Sequence, residues 1–276
     1  MISMKRLNSI AVLIFCLVIP AIFFLAKGHA ERKQFWLDEE NEMVYTCGAT
    51  YGSLVKDGAQ SQCSRSPFYY FLQKALYRQI ADPTDNPRFR YRIVSIIAGL
   101  ALLMATFYFF SRLLSPAWAL LPVFLLLGHN IFHAFQAENR PYMLWLALSG
   151  FTAYLVFPLA NGTLQSARLS HWSLLFLSAL GLVTVSSAGL IQVFFFGAAV
   201  LLAGAIFHPH ELAKFIRHRW PLILIGSGIV GGAGLFYAFG PCGFPGASYT
   251  LRASLAIGRY NELRGVARLL VPSGPV

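Results

Sequence analysis

What most constrains this chain is the recurrence of apolar stretches about as long as a bilayer is thick. A hydrocarbon core of about 30 Å is crossed by about 20 apolar residues in a helix. Seven segments of this kind follow one another: 9–27, 93–114, 117–133, 141–160, 172–188, 190–207 and 220–240. In lipid each backbone N–H and C=O has to be bonded within its own segment, which a helix does. The predicted fold class is therefore an all-α polytopic membrane protein. Composition agrees, because 57% of the 276 residues are apolar and only 12% charged, against roughly a quarter charged in soluble domains. The third, fifth and sixth segments have the least defined limits, since Pro122 interrupts one and only Ser187-Ala188-Gly189 separates the other two.

The formal charge of +11 comes from 22 Lys and Arg scattered at segment ends. There they anchor helices and set topology. No basic stripe or aromatic platform of a nucleic-acid interface accompanies them, so nucleic acid is not an expected partner. Lys5 and Arg6 precede the first segment, as in a signal peptide. Its apolar run exceeds the roughly 7 to 15 residues of such a leader, and Ala26-Lys27-Gly28-His29-Ala30 is a poor cleavage site, so an uncleaved first helix is expected. The positive-inside rule places the N-terminus, Arg112, Arg168 and Lys214, Arg217 and Arg219 in the cytoplasm. The loop 28–92, the stretch 129–140 and the basic tail 241–276 then lie outside, and 1–240 reads as one transmembrane module.

Negative charge is scarce and localised. Only 11 Asp and Glu are present, and 8 of them lie between His29 and Arg92. This first outer loop is far longer than a simple connector. Its aromatic residues, among them Trp36, Phe68, Tyr69, Tyr70 and Tyr77, suit short amphipathic helices lying on the membrane surface. Cys47 and Cys63 share the loop. A bridge between them would stabilise by about 3 kcal/mol in an oxidising compartment, and two free thiols are an equal alternative.

Three patches carry candidate chemistry. The first is Phe35-Trp36-Leu37-Asp38-Glu39-Glu40, which reads either as the acidic first turn of a surface helix or as a site in which Asp38 is a general base. The second is Gln136-Ala137-Glu138-Asn139-Arg140-Pro141-Tyr142. Here Glu138 and Arg140 either clasp each other or leave Arg140 as a planar fork for phosphate oxygens. The third, Arg65-Ser66-Pro67-Phe68-Tyr69-Tyr70, is an interfacial anchor or a wall for a sugar or polyprenyl chain.

The order of these patches, with Arg92-x-x-Ser95 opening the second membrane helix, resembles the GT-C membrane glycosyltransferases. Most similar by motif are the protein O-mannosyltransferase and lipid A aminoarabinose transferase types, over residues from about 10 to 160. The resemblance implies inverting transfer of a sugar from a polyprenyl-phosphate carrier to a lipid, glycan or protein acceptor on the outer face of the inner or plasma membrane. It matches the catalytic acid to Asp38, with Glu39 beside it. Arg140 then steadies the leaving phosphate, Glu138 positions, and Tyr69 and Tyr142 line the site. His29, His129 and His133 form no recognisable ligand set, so no metal is expected, although some members of the superfamily use one. Two departures stand out: Ser66-Pro67 replaces the usual proline pair, and the chain stops at Val276, before the further helices and outer domain common in the family. A truncated or partnered protein, or a lipid-handling protein without catalysis, are the competing readings.

Overall fold

The structure is a computed structural model and describes residues 3–35, 39, 46, 50–57, 67–79, 87–163, 168–186 and 188–239. Among these residues every regular element is a helix. In chain order they are α1 (Met4–Arg32), α2 (Tyr51–Asp57), α3 (Phe68–Gln79), α4 (Pro87–Leu113), α5 (Pro116–Leu127), α6 (Asn130–Gln136) and α7 (Tyr142–Pro158). A π-helical turn, Leu159–Thr163, extends α7, and α8 (Leu169–Val185), α9 (Ala188–Phe207) and α10 (Pro209–Phe239) follow. The tail 241–276 lies outside the described residues, as do Cys47 and Cys63.

Among the described residues, five helices are long and apolar enough to cross a membrane: α1, α4, α7 with its π turn, α9 and α10. They mark a multi-pass membrane protein. The expected segment 117–133 is not a single rod, because α5 and α6 meet at a 72° bend. Gly128 closes α5, and His129 turns to extended backbone, where its Nδ1 accepts the Ile131 N–H at 3.2 Å. His133 Nε2 donates back to the Leu127 carbonyl at 2.6 Å and ties the two halves together. Counted as one broken span, the pair makes a sixth crossing. The expected segment 172–188 becomes α8, only 17 residues long. At 1.5 Å per residue it spans about 25 Å, short of the full hydrocarbon thickness.

At the centre stands α4, packed against α7, α5, α1 and α3. Phe15, Leu102, Leu103, Val123, Phe132 and Met143 form the core between these helices. Gly150 permits the approach of α7, since a Cβ there would lie 2.7 Å from Leu102 Cδ1. From α7 the bundle extends through α8 to α9 and α10, with Ala179, Val183 and Val230 buried between them. Phe194, Phe195, Leu201, Leu224 and Ile225 project outward from that second layer. Exposure of this kind is costly in water but neutral against lipid tails, which are as apolar as Leu itself.

The up-and-down path sorts the polar groups to two ends. At one end Asn8 Oδ1 accepts the Ala117 N–H at 3.4 Å, His171 Nε2 meets the Leu155 carbonyl at 2.9 Å, and Trp172 stacks on Phe215. The opposite end gathers the last turn of α1, the short helices α2 and α3, the first turns of α4 and the α6–α7 corner. Residues from the three sequence patches meet there.

Candidate functional site

Arg92 is the hub of that end. Sequence spacing marks Arg88, Arg90 and Arg92 as interfacial anchors, but Arg92 is 0% exposed. An arginine stays charged at any accessible pH, so its burial demands partners for all its donors. It finds them in one place. Nη1 donates to the carbonyls of Ala30 at 2.6 Å and Lys33 at 2.7 Å, and Nη2 to that of Gln34 at 3.2 Å. These carbonyls belong to the end of α1, where the helix runs out of its own amide partners. The fork then closes on Glu39, with Nε to Oε1 at 3.0 Å and Nη2 to Oε2 at 2.7 Å. Phe35 lies under the guanidinium, 4.7 Å from ring centroid to Cζ.

Glu39, also 0% exposed, receives a further bond from the Asn139 backbone N–H to Oε1 at 2.6 Å. Its carboxylate is thus held by a bidentate guanidinium and an amide from a chain position 100 residues away. A carboxylate held in this way is a strong anchor. Removing one partner of such a pair leaves a buried charge uncompensated, at a cost of about 3–5 kcal/mol.

Asn139 carries the connection onward to α3. Its Oδ1 accepts from the Tyr69 hydroxyl at 3.1 Å and from Gln73 Nε2. Ser95 Oγ, 3.3 Å from the Tyr69 hydroxyl, donates to the Glu138 carbonyl at 2.7 Å. Gln73 Nε2 also reaches the Tyr91 carbonyl at 3.4 Å. Buried side-chain networks are rigid when satisfied, and this one locks α3 across α4 and the α6–α7 corner.

The expected site residues therefore fall into distinct positions. Glu39 sits inside the lock. Tyr69 is buried in it with its hydroxyl engaged, rather than lining an open wall. Glu138 pairs with Lys33, just past the end of α1, at 3.1 Å rather than with Arg140. Arg140 is half-buried, with Nη2 3.2 Å from the Tyr142 hydroxyl and its guanidinium 5.4 Å from that ring. Tyr142 is exposed. Asp38 and Ser66 lie outside the described residues. Among the described residues no group of three or more His, Cys, Asp or Glu is placed to hold a metal.

Sequence reasoning missed Asn139, Gln73 and Lys33. Asn139 sat in plain view between Glu138 and Arg140, and a polar amide beside a membrane helix start was the available signal. Nothing local marked Gln73, whose partners Tyr91 and Asn139 lie 18 and 66 residues away. Comparison with known protein families, characterised proteins and solved structures finds no match to this chain.

Proposed function

We propose that this chain is an inverting glycosyltransferase that moves a sugar from a polyprenyl-phosphate carrier to an acceptor at the outer face of the inner or plasma membrane. One observation supports it above others: the buried Glu39–Arg92 pair, completed by the Asn139 amide, joins the acidic patch to the Arg140 patch. Asp38 adjoins Glu39 in the sequence, and Glu39 is bonded to the α6–α7 corner through the Asn139 amide. In this reading the Asp38 carboxylate takes the acceptor hydroxyl proton as the acceptor oxygen bonds the anomeric carbon. The anomeric carbon–phosphate oxygen bond breaks on the opposite face, and the polyprenyl phosphate departs with the electron pair. Arg140 steadies the charge that develops on it.

Glu39 acts here as a positioning residue, Glu138 and Lys33 hold the corner to α1, and Tyr142 offers a ring and hydroxyl beside Arg140. The bent α5–α6 pair and the short α8 are counted as crossings, which gives seven, with α2 and α3 on the outer surface. Membranes bearing the full chain, supplied with a radiolabelled polyprenyl-phosphate sugar pool, should transfer label. Asp38→Asn should lower that transfer by roughly 10²–10⁴-fold, the usual worth of a general base, with insertion unchanged. Wild-type turnover in this variant would sink the assignment.

A further inference from the structure

A second buried arginine, two residues before the hub, has no such partners. Arg90 is 5% exposed, and its Nε and Nη2 are buried without a hydrogen-bond partner among the described residues. A guanidinium cannot escape by losing its proton, and an unpaired buried charge is not tolerated without compensation. A planar fork left open in this way is suited to an oxyanion.

Depth and surroundings narrow the anion. With 27 residues, α4 is about 40 Å long, longer than the roughly 30 Å hydrocarbon layer. Its uninterrupted apolar run begins at Ile93, so Arg90 stands just above the hydrocarbon, at the level of lipid phosphates. One turn below it on the same face is Val94, which packs with Leu54, Tyr70 and Ile93 in an apolar seam between α4 and the surface helices. A phosphate that carries a hydrocarbon chain satisfies both halves of this environment, and a free ion satisfies one. Gln73, bonded to the neighbouring Tyr91 carbonyl, keeps its Oε1 buried and without a hydrogen-bond partner among the described residues.

We propose that Arg90 is the oxyanion site for a lipid phosphate entering between α4 and the surface helices. The proposal does not depend on the transfer chemistry. Two sources share the ligand chemistry, a polyprenyl phosphate and an ordinary anionic phospholipid.

The test uses the purified full chain in nanodiscs of neutral lipid. Binding of a long-chain polyprenyl monophosphate, the matching uncharged polyprenol, phosphatidylglycerol and inorganic phosphate is read by native mass spectrometry and by shift of the thermal midpoint. Wild type should prefer the monophosphate to the polyprenol by about tenfold or more, the loss expected for charge-assisted bonds. Arg90→Gln should erase that preference, and Arg88→Gln should keep it. Displacement by phosphatidylglycerol would uphold the site and name bilayer phospholipid as its occupant. Equal binding of monophosphate and polyprenol by wild type would overturn the proposal, as when an acid of this chain already fills the fork. So would an equal effect of inorganic phosphate. The wild-type comparison stands even if Arg90→Gln does not fold, and label transfer measured with Asp38→Asn reports on the catalytic reading alone.

Discussion

At the scale of single residues, burial assigns the charges of the site their tasks. Glu39 and Arg92 are both fully enclosed and joined at 2.7 Å, so each depends on the other. Glu39→Gln should lower stability by about 3–5 kcal/mol, because the guanidinium loses its counter-charge where water cannot replace it. Replacing both by apolar residues of similar volume should cost much less, although the link to Asn139 would go with them. Thermal unfolding in detergent of the two single variants and the double variant checks this, and additive losses would contradict the coupling. The Lys33–Glu138 pair is different, with side chains 30% and 15% exposed. Solvent screens it, so Lys33→Ala should cost less than about 1 kcal/mol in the same assay. Acidic and basic letters were legible in the sequence as two patches, but their pairing was not. Glu138 and Arg140, two positions apart, looked like natural partners, whereas Glu138 takes Lys33 from α1.

At the scale of elements, close approaches decide where small residues are needed. A Cβ added to Gly189 at the start of α9 would strike the backbone carbonyl of Leu182 on α8. Backbone cannot rotate aside as a side chain can, so Gly189→Ala should cost about 1–3 kcal/mol as overpacking. Gly228 in α10 has nothing within 4 Å of the same added atom. Gly228→Ala should leave the midpoint unchanged or raise it slightly, through the better helix propensity of alanine. Equal effects of the two substitutions on unfolding would argue against this α8–α9 junction. Apolar length alone located α1, α4, α7 and α9, whereas α10 begins at Pro209, 11 residues before the expected 220, and carries Lys214, Arg217 and Arg219 within the helix. Apolar length failed at 117–133, where a uniformly apolar run carries no period to reveal a bend. The turn depends on Gly128 and on the two histidines that cap and tie it, and a hydropathy reading is blind to such bonds.

At the scale of the whole molecule, the last turn of α1, Glu39, α3 and the α6–α7 corner meet at one end of the bundle. With the N-terminus cytoplasmic by the positive-inside rule, a cysteine placed at Glu138 should react with a membrane-impermeant maleimide from outside intact cells. One placed at Lys214 should react only after permeabilisation. The opposite pattern would reverse the proposed orientation and remove the outer-face reaction with it. The four native cysteines, Cys16, Cys47, Cys63 and Cys242, should be replaced before labelling. The sequence by itself determined the helical class and the presence of several long apolar helices. These follow from hydrophobic length and the cost of charge in lipid, which act on each segment separately. Only the tertiary structure decided that Arg92 closes on Glu39, that Asn139 joins α3 to Glu39, and that Arg90 is buried with its Nε and Nη2 unbonded among the described residues. Each of these depends on side chains brought together from distant positions, and inside an almost wholly apolar bundle no local pattern records which polar group another will meet.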